Sequence, residues 1–598
     1  GRAVSPAQIR MRREEVADDG SYCDPLRLRW ICMKRKAFTP YRMIVGAVLL
    51  AGLCYGLLYF DYLETPTEDF IGNFRPRVVE YLSGSFPGSN FKMLPVYTLL
   101  LSAATAINPF DSADVIYSSA LVLNMALFVP FLVVSFLLYR KFLSSGKAAA
   151  ALAFLAMNPY TIYGAINSEL EMSLALFSSL TVLLALKGSV LAYPMAFLTA
   201  ATKWDSVFAV PAAMFRDFCE RRRVIFSIIA GGLAASGVAA WIMLSLLSAD
   251  YSNPYVKEIA SRGPNVYRYI VDCFLILSGY VPWMATHAYF SGSVALRTPL
   301  FVAAGVSIIV VVVSTVWGAV ILFARKWKET APLSIFFGGY VLVHMIYQNT
   351  KERYVMPVLW VLVLLFFLGM CEGLYPFLRE RAGRFFERRA VRAALVAIAV
   401  CAVLGGMGLS VSGGEWGPLV FALLFSAIFA VIILHEKPKL NSYTGLLLVL
   451  CATAVSILMT FYGVRTMDHY SLRRVEFKKA ALWFNEHAGP SDTMLIAELN
   501  VPNYYSRLEG RRYIGPMEIE SRNTASLVRE LREKKIAYVF VDDFYIRRLA
   551  HGDKNAVDRK AALFKEIRDD AAPAGHFKPV ARFETKGGIY STIYKFVP

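Results

Sequence analysis

The sequence predicts a polytopic α-helical membrane protein that ends in a soluble α/β domain, and three observations carry this expectation. First, several apolar runs reach about 20 residues, enough to cross a hydrocarbon core at ~1.5 Å per residue. They include Met43–Phe60, Val115–Tyr139, Val224–Leu247, Phe301–Ala324, Ala393–Gly408 and Leu440–Tyr462. Second, only 18% of the 598 residues are charged, against about 25% in ordinary soluble proteins, and they concentrate outside those runs. Third, the pattern changes near residue 464, where charges become frequent and apolar runs shorten to strand length.

The N-terminal segment, residues 1–41, is mostly polar and carries Lys34, Arg35 and Lys36 ahead of the first span. No small-residue cleavage site closes that span, so an uncleaved first helix is expected rather than a signal peptide. Positive residues favour the cytoplasmic side. The basic links are Arg140/Lys141/Lys147, Arg216 with Arg221–Arg223, Arg325/Lys326/Lys328, Arg379–Arg392 and His435–Lys439. The less basic links, 61–112, 165–168, 249–298, 348–353 and 409–416, then lie outside. This gives about thirteen crossings between residues 42 and 463, with counts of about eleven or twelve left open. Tyr193–Lys203 and Ser206–Met214 read as a short pair. In 268–290, Arg268, Asp272, Pro282 and His287 argue for an interfacial or re-entrant segment rather than a simple span.

Residues 464–598 are expected to form an extracytoplasmic α/β domain, because the last span leads outward from Lys437 and Lys439. Helical spacing covers Phe477–His487, Thr524–Lys534 and Lys560–Ile567; strands are expected at Thr493–Glu498, Ile536–Asp542, Val580–Phe583 and Ile589–Phe596. The Asp542–Asp543 pair reads as a solvated strand end.

A net charge of +18 would suggest nucleic acid in a soluble protein. Here the positive residues sit in the links, so nucleic acid is not an expected partner; membrane lipids are. The eight cysteines have no metal-like or paired spacing, and none lies beyond residue 463.

Four features could carry chemistry. The first outer loop holds Glu64, Glu68, Asp69, Arg75, Arg77, Glu80 and Lys92, and a carboxylate at the interface can take a proton from an acceptor hydroxyl. If Glu68 and Asp69 lie on a helix, Asp69 shares a polar face with Asn73, while Phe70 and Phe74 pack the opposite side into lipid. Asn167-Ser168-Glu169-Leu170-Glu171 places two carboxylates between apolar helices, where ionisable groups usually face a cavity or partner. Lys203-Trp204-Asp205 and Lys351-Glu352-Arg353-Tyr354 each put a cation at the outer end of a helix pair, suited to a lipid phosphate. A polyprenyl monophosphate sugar, with an apolar tail, one phosphate and a polar sugar, would fit such a set.

At these residues the chain resembles the GT-C glycosyltransferases, multi-span enzymes that use lipid-linked sugars. It is most similar to their protein O-mannosyltransferase and lipid A aminoarabinose transferase branch. The resemblance covers about residues 42–370. The family's acidic pair of the first outer loop corresponds to Pro66-Thr67-Glu68-Asp69, in reversed order, and its next basic residue near a proline to Lys92-Met93-Leu94-Pro95. Glu169 or Glu171, then Lys203, then Arg353-Tyr354-Val355-Met356-Pro357 follow in family order. The resemblance implies Asp69 or Glu68 as catalytic base, and the face that Asp69 shares with Asn73 makes Asp69 the preferred one. It implies donor-phosphate binding by Arg353, Lys203 and Lys92, and sugar or acceptor contacts from Arg75, Glu169, Glu171 and Tyr354. The implied reaction moves a sugar to an extracytoplasmic glycan, lipid or protein in a bacterial inner membrane. No cofactor is expected: the first loop has no Asp-x-Asp and a metal-independent displacement is expected, although a divalent ion stays open. The alternative is a transporter or flippase for lipids or lipid-linked sugars.

Overall fold

The computed structural model describes residues 40–58, 60, 65–86, 93–109, 114–247, 266–277, 294–346, 352–374, 376, 475–506, 512–521, 523–542, 546, 556–569, 575–585 and 589–597. The chain divides into units 1–47 and 48–598; of the first, only the helical residues 40–47 are described. The second combines a helical membrane-spanning region with a C-terminal domain built on a sheet. Among the described residues, four helices are long and apolar enough to cross a membrane: Val115–Phe142, Val224–Leu247, Trp327–Ile346 and Arg353–Leu374. The expected spans Ala393–Gly408 and Leu440–Tyr462, and with them the full count, lie outside the described residues.

Three local features shape the helical region. Ser145–Met157 and Pro159–Ile166 meet at 58°. Pro159 forces extended backbone on Asn158, whose side chain then caps the second helix through Tyr160 N. The expected short pair is present as Ala192–Ala200 and Ala209–Phe215, joined through a 3-10 turn at Trp204–Ser206. The basic stretch Arg325/Lys326/Lys328 is carried on helical backbone, within Val294–Ile346. That sequence contains no glycine or proline to break the helix between Gly318 and Pro332. Of the segment 268–290, the part up to Leu277 is one helix face, with Tyr269, Cys273 and Ile276 buried and Tyr267 exposed; the remainder is outside the described residues.

The C-terminal domain carries a five-stranded sheet of order β2-β1-β3-β5-β4. Its strands are β1 Thr493–Leu495, β2 Tyr513–Ile514, β3 Ile536–Asp542, β4 Phe577–Thr585 and β5 Ile589–Phe596. β2, β1 and β3 are parallel, and β5 and β4 complete the sheet antiparallel. Alternation along β3 sends Val539 and Val541 to one face, with Leu527, Leu531, Leu563 and Phe564, and Tyr538 and Phe540 to the other, with Phe477 and Phe484. Asp542 corrects the expectation of a solvated strand end. It is buried because β5 covers it, and its Oδ1 accepts from Ser591 Oγ at 3.3 Å.

Candidate active site

The first loop sets its acidic pair into a widened turn. Thr67 Oγ1 accepts from Phe70 N at 3.2 Å and starts a helical turn at Glu68. Pro76 has no N–H for the Gly72 carbonyl, so Phe70–Phe74 opens into a π turn, closed by the Arg75 N–H on Phe70 O. Asn73 Nδ2 donates to Asp69 Oδ1 at 3.2 Å, so these two side chains share a face as the helical spacing predicts. The lipid-facing role of Phe70 and Phe74 is corrected. Both are buried, edge-on to Tyr117 and Tyr97 at centroid distances of 5.6 and 5.1 Å. Aromatic pairs of this geometry hold a turn more specifically than lipid contact does.

The second acidic site is pinned by polar side chains from neighbouring helices. Asn124 Nδ2 donates to the Asn167 and Glu169 carbonyls at 2.5 and 2.7 Å, and Tyr97 OH donates to Ser168 O at 3.0 Å. Asn167 Nδ2 donates to Glu169 Oε2 at 3.1 Å. Glu169 and Glu171 are each only 5% exposed, and that burial demands a counter-charge.

Arg353 supplies it. From the 3-10 turn Glu352–Val358, its Nη1 donates to Glu169 Oε1 and its Nη2 to Asp69 Oδ2, while its Nε lies 3.8 Å from Glu171 Oε1. Three carboxylates from two distant loops thus converge on one guanidinium. The sequence expectation presents Arg353 as a cation facing a phosphate; in the structure the planar fork is occupied by the acids themselves.

A second charged cluster adjoins the first across one aromatic ring. Lys203 Nζ lies 3.9 Å above the centre of Tyr354, and Arg353 Cζ lies 5.4 Å from it. Lys203 Nζ and His344 Nε2 each lie 3.0 Å from Asp205 Oδ2. His344 is packed among Tyr269, Tyr340 and Tyr354 at 4.9, 4.4 and 5.3 Å, and both Tyr269 OH and Tyr340 OH donate to Tyr354 O. Asp205 and His344 are absent from the residues assigned by sequence. A histidine inside an apolar span is the signal that could have found them.

Tyr160, Tyr163, Gly164, Asn167 and Met356 complete a cleft around Glu169, Glu171 and Arg353, with room for about one water molecule, ≈ 10 Å³. Among the described residues Arg353 Nε and Glu171 Oε2 are buried without a hydrogen-bond partner, so polar capacity remains at this point, while Lys203 Nζ is held by Asp205. Among the described residues no group of three or more His, Cys, Asp or Glu side chains has the geometry to hold a metal ion. Of the other assigned residues, Arg75 turns to Asp114, its Nε donating to Oδ2 at 3.0 Å, rather than to the Glu68–Asp69 pair. It follows the π turn, which rotates it away from that face. Lys92 lies outside the described residues.

The fold is similar to that of ArnT from Cupriavidus metallidurans, solved bound to undecaprenyl phosphate, with a TM-score of 0.49 and 13% identity over 92% of this chain and 98% of that one. It is also similar to the apo oligosaccharyltransferase of Archaeoglobus fulgidus, with a TM-score of 0.35 and 12% identity over 92% and 74%. No family model and no curated protein matches the chain. These likenesses decide nothing about the chemistry, which rests on the side chains themselves.

Proposed function

We propose that this chain is a membrane glycosyltransferase of the GT-C type, moving a sugar from a polyprenyl monophosphate to an acceptor hydroxyl outside the cytoplasm. The observation that carries the reading is Arg353, which gathers Asp69 with Glu169 and Glu171 beside Lys203 and Tyr354. Asp69 takes the acceptor proton as the hydroxyl oxygen attacks the anomeric carbon. The bond from that carbon to the phosphate oxygen breaks, its electrons stay on the phosphate, and Arg353 and Lys203 stabilise the added charge. Lys92 is a further phosphate cation in this reading, and Glu169, Glu171 and Tyr354 contact the sugar. No metal is required for this displacement.

Both ends of the Arg353 fork already hold carboxylates, so in this reading donor entry exchanges one of them for the donor phosphate. A guanidinium is suited to both partners. Exchange at Nη2 frees Asp69 as the phosphate binds, which ties activation of the base to the presence of donor.

The test is transfer from a panel of polyprenyl-phosphate sugars by purified variants in nanodiscs. Asp69→Asn keeps the size of the side chain but cannot take a proton, and should abolish turnover with donor binding intact. Glu68→Gln should leave measurable activity. A dead Glu68→Gln beside an active Asp69→Asn would swap the two roles; full activity in both would remove the transferase reading in favour of a transporter.

A further inference from the structure

The turn that carries Asp69 is held from outside the membrane-spanning region as well as from within it. Ile71, two residues beyond Asp69, packs against the C-terminal domain's cluster of Phe477, Phe484, Val501 and Phe540. The domain's helix Asn500–Tyr505 contacts the same Phe70–Phe74 turn. A polar latch stands beside this apolar contact. Tyr504 OH donates to Asp114 Oδ2, Arg75 Nε donates to the same oxygen at 3.0 Å, and the Arg75 guanidinium lies 5.4 Å from the centre of the Tyr504 ring.

Each part of the latch is anchored. Asp114 Oδ1 accepts from Ile116 N and Tyr117 N at 3.0 and 3.1 Å and so caps the Val115–Phe142 span. One carboxylate therefore joins a span, the residue after the π turn and the C-terminal domain. On the domain side, Asn485 Nδ2 donates to Tyr505 O at 2.8 Å, and Lys478 Nζ lies 5.4 Å from the Tyr505 ring centre. Around the turn itself, Phe70 and Phe74 point to the spans, Ile71 to the domain and Asp69 to Arg353.

We infer that the C-terminal domain is part of the catalytic apparatus, with Ile71, Tyr504 and Asp114 acting as positioning residues that hold Asp69 in line with its acceptor. This rests on the reading of Asp69 as the base. None of the three touches the Arg353 cleft, so their effect passes through the orientation of the turn. A π turn widened by Pro76 has fewer internal restraints than an α-helical turn, and external contacts then fix where its side chains point. A catalytic group displaced by about 1 Å loses up to about 100-fold in rate.

The experiment uses the full chain in nanodiscs, with the panel sugar that the native protein turns over fastest. Tyr504→Phe removes one hydroxyl, and Ile71→Ala removes the apolar plug; Ile71→Leu is the conservative control. We expect kcat to fall between about 10- and 100-fold in Tyr504→Phe and Ile71→Ala, with donor KM within about twofold and Ile71→Leu close to native. Amide hydrogen exchange across residues 67–75 should rise about tenfold in the same two variants. Unchanged kcat in both, alongside a dead Asp69→Asn, would overturn the inference and leave the transferase reading standing. An active Asp69→Asn would instead remove the reading of Asp69 as the base. Exchange then decides whether the domain holds the turn, with unchanged protection in Tyr504→Phe and Ile71→Ala counting against it.

Discussion

Arg353 meets three carboxylates because none of them is stable in that place alone. Asp69 and Glu169 take the ends of its fork and Glu171 lies beside Nε. Removing the arginine leaves an uncompensated acidic group in a nearly dry cleft, which costs about 3–5 kcal/mol. Arg353→Ala should therefore lower the unfolding temperature in detergent and weaken donor use by more than about tenfold, since a charge-assisted partner is worth roughly 1.5–3 kcal/mol. Arg353→Lys should recover part of each, because an ammonium is a point charge that cannot bridge two carboxylates in one plane. Thermal melts and donor titrations on the same samples measure both; native values in Arg353→Ala would count against the whole cluster. The Lys203–Asp205–His344 group repeats the logic, with the Tyr354 ring as the wall between the two centres.

At the scale of elements, close approach and pH response can be tested separately. Helices Val294–Ile346 and Leu359–Gly369 cross where Gly318 faces the backbone of Leu365 and Gly369, and Gly369 faces Ser314 O. A Cβ at either glycine would meet backbone, which has no rotamer to escape by, and small residues are what permit such crossings in membranes. Gly369→Val should separate the helices and lower thermal stability and folded yield by size-exclusion chromatography, whereas the exposed Gly232 should accept alanine with little change.

In the C-terminal domain, burial alone would raise the pKa of Glu530. Hydrogen bonds from Lys534, Ser521 and the Glu520 and Ser521 amides outweigh burial and hold it down at about 2, from an ordinary 4.5. A depressed carboxylate contributes stability that is fully present above the unfolded value and is lost as pH falls through the folded one. Between about pH 4.5 and 2 the domain should lose stability, and Glu530→Gln should flatten that part of the curve. Denaturation of the full chain followed at the domain by hydrogen exchange reads it; an unchanged slope would show that other groups dominate.

For the whole molecule, charge and packing together make a statement about orientation. The basic links argue that residues 61–112 and 464–598 share the non-cytoplasmic side. The packing of Ile71 on the C-terminal domain requires the two to meet on one side of the membrane. Single cysteines at positions in 61–92 and 470–598 should both label with an impermeant reagent from outside intact cells. Labelling of the C-terminal domain only after the membrane is opened would force the spans to be recounted and the site to be placed on the other face.

Hydropathy and short-range periodicity depend on neighbours in the chain, and they determined what such neighbours can determine. The apolar spans Val115–Phe142 and Val224–Leu247, the short pair around Lys203, and strands β3 and β5 are legible because a helix or strand repeats within its own length. The acidic and basic residues worth inspecting were legible too, because charge beside hydrocarbon is costly wherever it occurs. Strand β2 and helix Asn500–Tyr505 were not, since two and six residues are too short to repeat. Pairing belongs to tertiary structure alone. Asp69 and Arg353 are 284 positions apart, and Asp114 and Tyr504 are 390 apart. No local pattern encodes which distant charge will neutralise a carboxylate. Only the folded arrangement of helices decided that Arg353 joins three acids, that Arg75 leaves them for Asp114, and that the C-terminal domain rests on the turn beside Asp69.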